Sequence, residues 1–480
     1  MDKITIDWPS SGVKTYGEFT EGTERVKLQS GFQVDRVINK DRGFENSKVK
    51  VALGNIDREF DALMKSADRY LLGRTLCAYR NGELIFTGKV SDFPECEPRV
   101  FALEADTAYF GFNDVINKAI QINDFPNVPA ENEGKYGNII YGTASDESGE
   151  GVGILIARRV DNNKYLAAWH HIKSLISVYN ASGSAITGSC TLDNNADGYA
   201  YINYTSTDPE IYFNAEGKES GGSLITNPAN MLDDLNNNYG SFTLAGVTEA
   251  AEEFNSRGYT GAVIVIHNDI RWREFFKHFA VNFDTLIYQK ANGDVGLKIT
   301  AWGGSENAEA IVDYIDVATF KNWRDTSNIV GNYTRKYWYH FRQGRFQRTP
   351  QDVTGSTSWK AKDAEIDMRY NRDSTTSYDV AGRAIYFQKA PRVWYQFEIP
   401  QVKIGSIDLA SVITLIPPAG YYKGEERLVQ IYGVSILNNK PRVQLRAVDI
   451  TDLQLEGITL LLDSDPDVYL LTNPGTGILI

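Results

Sequence analysis

Cysteine is nearly absent from this 480-residue chain, which carries only Cys77, Cys96 and Cys190. The count is odd and no C-x-x-C pair occurs, so no disulfide framework is implied. The expectation is free, buried thiols in a reducing compartment. Cys77 follows Leu76 in an apparent strand and reads as core, and Cys96 sits in the turn "FPECEP". Histidine is scarce too: His170, His171, His267, His278 and His340 form no H-E-x-x-H. The adjacent His170 and His171 would face opposite sides of a strand, or point about 100° apart on a helix, and neither lets them share one ion unaided. No G-x-x-x-x-G-K-[ST] phosphate loop and no G-x-S-x-G nucleophile turn occurs. The glycines of "GEGVGILIARR" lead into a strand pattern rather than a helix. "DSDPD" (463–467) lacks the glycine and terminal glutamate of a calcium loop. No run approaches the ~20 apolar residues that cross a bilayer, and the N-terminus has no basic segment followed by an apolar one. The expectation is a soluble chain with no catalytic, cofactor-binding or metal-binding residues and no stable membrane span.

Acidic residues exceed basic ones, 62 against 49, for a formal charge of −13. Such a chain is a poor general binder of nucleic acid or anionic membrane. The imbalance is compatible with a local basic patch, and equally with a conduit whose negative wall keeps passing DNA from sticking.

Aromatic side chains are abundant, with Tyr 27 and Phe 22, and suit strands and interfaces. The length suggests about three or four domains. In residues 1–110, "SKVKVALG" (47–54) puts Val49, Val51 and Leu53 on one face of a strand. "GRTLCAYRNGELIFTGKV" (73–90) reads as a hairpin turning at Asn81–Gly82, where a type I′ turn needs positive φ. "RVFALEA" (99–105) supplies a further strand, alternating through Val100 and Ala102 with a partly two-sided apolar character. "IDREFDALMKSADRYLLG" between them reads as an irregular or short helical link. Five or so such strands make a small barrel or sandwich.

Residues 111–220 open with a Gly-, Pro- and Asn-rich loop and continue as short strands bounded by turns, a β-rich insert. Residues 221–305 change character. "TNPANMLDDLNNNYG" predicts a helix with Asn227 as N-cap, Pro228 first and Gly240 as stop, and with Met231, Leu232, Leu235 and Tyr239 as its stripe. The Asp233–Asp234 pair falls on its solvated side. Trp272, Phe275, Phe276, Phe279 and Phe283 predict a second helix with an aromatic face. A hairpin turning at Asn292–Gly293 completes a small α/β unit. Residues 306–480 return to β. The segment 341–378 reads as a polar, irregular surface link, and Leu428–Leu437 and Arg442–Val448 form a hairpin around Asn438–Asn439. The apolar tail "GITLLLDSDPDVYLLTNPGTGILI" should add a strand locally or reach a neighbouring subunit. The cluster "YWYHF" (337–341) reads as core or interface. Trp169, Trp272, Trp323, Trp338 and Trp394 are too scattered for a sugar-stacking platform. The fold class is mainly β with a small α/β unit, multidomain, and no fixed-period repeat is present.

Several segments, in order, resemble the tail hub and tail-associated proteins of tailed bacteriophages. Asn55, Ile56, Asp57 and Phe60 match an "N-I-D-x-x-F" stretch. Gly73, Arg74 and Tyr79, then Phe86, Thr87, Gly88 and Val90, match the hairpin that follows it. "KYGNIIYG" (135–142) is similar to a "P-x-x-Y-G" segment, with Lys135 in place of Pro. "NPANMLDDLNNNYG" resembles an "N-P-A-x-x-x-x-D-L-L" helix, with Asn236 where a second Leu is usual. "ANGDVGLKIT" and "RLVQIYGVSILNNKPRVQLRAVD" resemble the later hairpins. The resemblance implies two tube-type β barrels flanking the β insert and the α/β domain. It implies a trimeric hub at the distal end of the tail tube, in which two barrels per subunit match sixfold tube to threefold tip and form part of the DNA channel. Its neighbours would be the tail tube or distal tail protein above and a spike, fibre or tip protein below. It would be assembled in the host cytoplasm and carried in the virion. The rival readings are a hexameric distal tail ring, or a hub with peripheral glycan-binding or wall-degrading activity.

Overall fold

The computed structural model describes residues 2–451 apart from 18–24, 27, 29–31, 39–46, 56, 93, 108–109, 147–151, 260, 302–306, 328, 355–361, 389, 406 and 437–440. The expected Asn438–Asn439 turn, the "DSDPD" run and the apolar tail lie outside the described residues. Within them the protein is mostly β and multidomain, with five α-helices.

Strands from both ends of the chain join in one 15-stranded sheet. Its main path runs Phe320–Asp325, Arg392–Pro400, Arg442–Asp449, Arg427–Ile436, Gln33–Val37, Lys48–Gly54, Val100–Asp106, Glu83–Val90, Thr75–Arg80, Asp2–Trp8, Gly12–Gly17 and Arg25–Val26. The join is antiparallel, with Val37 opposite Gly433, Arg36 opposite Val434, Asp35 opposite Ser435 and Val34 opposite Ile436. The Ile38 amide adds a bond to the Tyr432 carbonyl at 2.8 Å. One hydrophobic core crosses the join and contains Ile4, Val49, Phe60 and Phe101 together with Trp394, Ile413, Val434 and Leu445.

The alternation of apolar residues explains these strands. Val49, Val51 and Leu53 are buried while Lys48 and Lys50 point to solvent. Asn81 and Gly82 adopt φ of 52° and 86°, as the predicted hairpin turn requires. In Val100–Asp106, apolar on both sides in sequence, the buried face is Phe101, Leu103 and Ala105. Phe101 belongs on that face because it stacks on Phe60, with ring centroids 4.4 Å apart and planes 8° apart. Phe60 comes from helix α1 (Glu59–Lys65), whose first turn is held by the Asn55 side chain accepting from the Phe60 amide at 3.1 Å.

Residues 143–216 form a seven-stranded antiparallel sheet with its own core around Leu155, Tyr165, Ile202 and Phe213. Helix α2 (Pro228–Tyr239) starts as the sequence predicts: the Asn227 side chain accepts from the Ala229 and Asn230 amides, and Gly240 ends it. Met231, Leu232 and Leu235 are its buried stripe. Helix α3 (Val247–Ser256) has no sequence counterpart among the expectations. Its N-cap is Gly246 at φ 84°, and it buries only Ala250 and Phe254. Helix α4 (Trp272–Asn282) presents the predicted aromatic face.

The described part of segment 341–378 is not a surface link. Strands Arg345–Arg348, Gln351–Thr354 and Lys362–Met368 lie in it, all paired with Val330–His340 in a four-stranded sheet. Helix α5 (Ser374–Gln388) begins in it. Tyr333, Tyr337, Ile366, Met368, Val380 and Ile385 pack with Phe275, Phe279 and Leu297 in the core of the α/β unit. The polar face that suggested a link is the outer side of this sheet, where Lys336 pairs with Glu365 at 2.5 Å.

Candidate assembly surfaces and the groups that could carry chemistry

Of the five histidines, His170 and His340 are buried, His267 and His278 half-buried and His171 exposed. His170 is buried between the insert and the α/β unit. Its Nε2 accepts the Ile140 amide at 2.8 Å and its Nδ1 lies 2.8 Å from the His171 carbonyl, so the neutral Nδ1–H tautomer satisfies both contacts. Burial drives its pKa down to about 4. His267 is also held near 4, by burial and then by the Arg369 and Arg158 guanidinium groups. His278 is lowered by burial and by Arg369, and His340 accepts from the Gln343 amide at 3.2 Å. His171 reaches the Asn195 carbonyl at 2.7 Å. Among the described residues, no group of three or more His, Cys, Asp or Glu side chains could hold a metal ion.

The cysteines are free. Cys96 corrects the expectation of buried thiols: it is exposed, in the two-residue strand Glu95–Cys96. Its Sγ sits 3.1 Å from Asp61 Oδ1. Desolvation first, and then that carboxylate, push its pKa up to about 11. Such a thiol is a poor nucleophile. Cys190 is also raised to about 11, by burial, and Cys77 is half-buried.

The Asp233–Asp234 pair divides. Asp233 accepts from Asn237 one turn on, at 3.2 Å, as a surface residue does. Asp234 instead accepts from the Tyr141 hydroxyl at 2.6 Å and from Lys218 Nζ at 2.7 Å. It therefore ties α2 to the insert, a role invisible in sequence because Tyr141 lies 93 positions away and Lys218 sits outside the helix. In "YWYHF", Tyr337 enters the core of the α/β unit and Phe341 the core of the insert. The cluster bridges two cores, with Trp338 at a φ of 57° between them.

A cleft of about 330 Å³ lies where three regions meet. Arg36 and Glu83 come from the first region, Tyr288, Lys290 and Lys298 from the α/β hairpin, and Glu309 and Asp408 from the last. Its charges are largely spent on one another. Arg36 pairs with Asp408 at 2.5 Å, and Lys298 with Glu309 at 2.5 Å. Burial alone would raise Glu309, but Lys298 and Ser411 outweigh it and hold the carboxyl below its usual value. The cleft is a charge-balanced joint between regions.

Among the described residues the exposed large apolar side chains are scattered, Val115, Ile122, Ile176 and Tyr421 singly, with two further groups on the regions that carry the large sheet. Toward one end, Val13, Tyr70 and Leu72 are 43% to 68% exposed. The turn Pro9–Ser11 is pinned beside them, because Asp68 accepts from the Ser10 and Ser11 amides at 2.6 and 3.1 Å. Arg69 donates to the Tyr70 hydroxyl at 2.6 Å and lies over its ring. Ile311, in the strand Ala310–Val312 that pairs with Val412–Leu415 off the main path of the sheet, and Tyr314, Ile315 and Val402 are 56% to 86% exposed. This stretch runs directly into the terminal strand Phe320–Asp325. Lys403, 3.4 Å from Asp316, holds Val402 beside it. Sequence reasoning did not find either group, since an exposed apolar residue reads the same as a core one until the strands are paired.

No protein-family model and no curated protein matches the chain. Among solved structures, the chain is similar to the 43 kDa tail protein of prophage MuSo2 from Shewanella oneidensis, at 10% identity and a TM-score of 0.46, over 94% of this chain and 99% of that one. It is similar to a tail protein from Neisseria meningitidis MC58, at 9% identity and a TM-score of 0.44, over 94% and 99% of the two chains. It is also similar to the prophage tail protein gp18 from Listeria monocytogenes EGD-e, at 8% identity and a TM-score of 0.43, over 93% and 94%. At this level the likeness fixes neither a shared fold nor a shared role.

Proposed function

We propose that the chain is a structural protein of a phage-type tail, acting as a trimeric hub at the distal end of the tail tube. The observation that carries this reading is the single sheet built from both ends of the chain. A subunit that brings its first and last strands into one wall, and sets its middle regions aside, supplies two pseudo-equivalent halves of a ring. Three such subunits supply six halves, which is what matching a sixfold tube to a threefold tip requires. The ordered resemblance of the Asn55–Phe60 and Gly73–Val90 stretches to tail hub proteins supports the same reading. On it, the first and last regions are the two tube-forming barrels. The tail tube or distal tail protein binds above, a spike, fibre or tip protein below, and DNA passes through the channel. The protein is assembled in the host cytoplasm and carried in the virion. The net charge of −13 suits such a passage, since a negative wall does not retain a polyanion. The buried neutral histidines, the charge-balanced cleft and the inert Cys96 fit a scaffold rather than an enzyme. Electron microscopy of the full chain, alone and with a tail tube protein, tests the proposal: three copies around a channel are expected, and six copies would favour the distal ring reading.

A further inference from the structure

We infer that a small inorganic anion of the size of chloride binds in a cavity at the joint between the β insert and the α/β unit. His267, Arg158 and Arg342 line the site, and Arg372 stands behind Phe341. The site does not depend on the hub reading above.

The first observation is a surplus of donors. Arg372 Nε and Nη1, His267 Nδ1, Trp338 Nε1 and Asn371 Nδ2 are buried without a hydrogen-bond partner. Each can donate, His267 in its Nδ1–H form. They share one neighbourhood. Arg372 Cζ lies 5.9 Å from the Trp338 ring and 5.5 Å from the Phe341 ring, and the His267 ring is 5.7 Å from Phe341. Asn371 precedes Arg372, and its carbonyl accepts the Trp338 amide at 3.1 Å. Arg372 is 8% exposed, and its one hydrogen bond runs from Nη2 to the Tyr339 carbonyl at 2.7 Å. A buried donor without an acceptor costs about 1–3 kcal/mol, so a cluster of them marks a place where an acceptor belongs.

The second observation is charge. Arg158 pairs with Glu210 at 2.9 Å and Arg369 with Asp367 at 2.5 Å. Arg342 and Arg372 have no carboxylate within ion-pair distance among the described residues. Asp146 acts on Arg372 without reaching it, and its oxygens accept from the Val152 amide at 3.2 Å and Asn214 Nδ2 at 3.1 Å. Burial lowers the His267 pKa, and the Arg369 and Arg158 charges lower it further, so the potential at the imidazole is positive. Water would meet the donors and leave the enclosed Arg372 charge uncompensated, whereas an anion meets both needs.

The third observation is space. The cavity measures about 20 Å³ and is lined by Arg158, His267, Phe341 and Arg342 among others. That is room for one water-sized particle, which selects a monatomic anion over a phosphate. Arg158 belongs to Leu155–Asp161, His267 follows Ile264–Ile266, and Arg342 follows Val330–His340. These strands lie in three different sheets, so the ion would tie all three together.

The test follows the urea midpoint of the full chain as chloride replaces gluconate at constant ionic strength, in the parent and in Arg342→Gln. Position 342 is half-buried, and unchanged circular dichroism will verify folding. The parent should gain stability saturably with chloride, and the variant should need at least about tenfold more chloride for the same gain. Crystals of the parent soaked in sodium bromide should show one anomalous peak in contact with His267 Nδ1 and the Arg342 guanidinium. If the variant does not fold, that peak together with the parent's saturable response decides the matter. An equal chloride response in parent and variant would make the salt effect nonspecific and overturn the inference. A cavity without a bromide peak would leave the donors to water and overturn it as well. So would a peak with no chloride response in solution, which is binding at crystal concentration only.

Discussion

Asp449 should be among the costliest single positions in the large sheet. Its carboxylate is 6% exposed and accepts from Arg427 Nε at 2.9 Å, Arg427 Nη2 at 3.2 Å, the Tyr395 hydroxyl at 2.8 Å and the Thr451 amide at 3.0 Å. Asp449→Ala removes this carboxylate from the Arg427 guanidinium, itself 9% exposed. Removing one partner of a buried pair costs about 3–5 kcal/mol. At about 1.4 kcal/mol per factor of ten, amides of Arg442–Asp449 should exchange hydrogen about 100-fold faster or more. Hydrogen exchange with mass spectrometry is the suitable assay because it reads this strand locally, whereas a chain of several domains need not unfold in two states. The triple change Arg427→Met, Asp449→Leu, Tyr395→Phe removes every charge and hydroxyl of the set together and should recover most of the loss. If Asp449→Ala speeds exchange by less than about threefold, under ~1 kcal/mol, the pair is screened by water and the reasoning fails.

Four further outcomes follow from the same geometry. His170 and His267 have folded pKa values of about 4 against an ordinary 6.5. The unfolded chain therefore binds more protons between those limits, so stability should be level above pH 6.5 and fall towards pH 4, by up to about 3 kcal/mol for each group. Denaturation followed across that window should lose part of its slope in His170→Gln, and an unchanged slope would count against the assignment. Cys96 should alkylate at pH 8 roughly 100-fold more slowly than an ordinary exposed thiol, and Asp61→Asn should speed it, as timed iodoacetamide labelling will report. Asn227→Ala removes the α2 cap together with two donated bonds, to the Ala251 carbonyl and the Asn255 side chain, and should cost about 1–2 kcal/mol in urea unfolding. Gly142 has φ 73° and a Cβ there would sit 2.2 Å from the Ala262 carbonyl oxygen, so Gly142→Ala should destabilise by more than ~1 kcal/mol.

Local features were legible in the sequence because their causes are local. The Asn81–Gly82 turn needs only two residues of positive φ. The start of α2 needs only Asn227 and Pro228, and the aromatic face of α4 is written in its own spacing. Helix α5 was not legible because it has no stripe to see. It buries Thr376, Val380, Arg383 and Tyr386 alike, and its serines, threonines and glycine have weak helix preference. Its start is set by Asp373, which accepts from the Thr375 and Thr376 amides at 3.2 and 2.6 Å, but an aspartate before threonines also reads as a turn. The join between Gln33–Val37 and Arg427–Ile436 spans nearly 400 positions, and strand pattern alone cannot say which strands meet. The same limit hid the Asp234 tie and the two exposed groups.

The most direct test of the central claim is the copy number and symmetry of the assembled full chain, measured by native mass spectrometry and by class averages in electron microscopy. Three subunits around a central channel are expected, each contributing one continuous stretch of the wall with strands from both ends of its chain. Six subunits, or a closed oligomer whose wall contains strands from only one end of the chain, would contradict it.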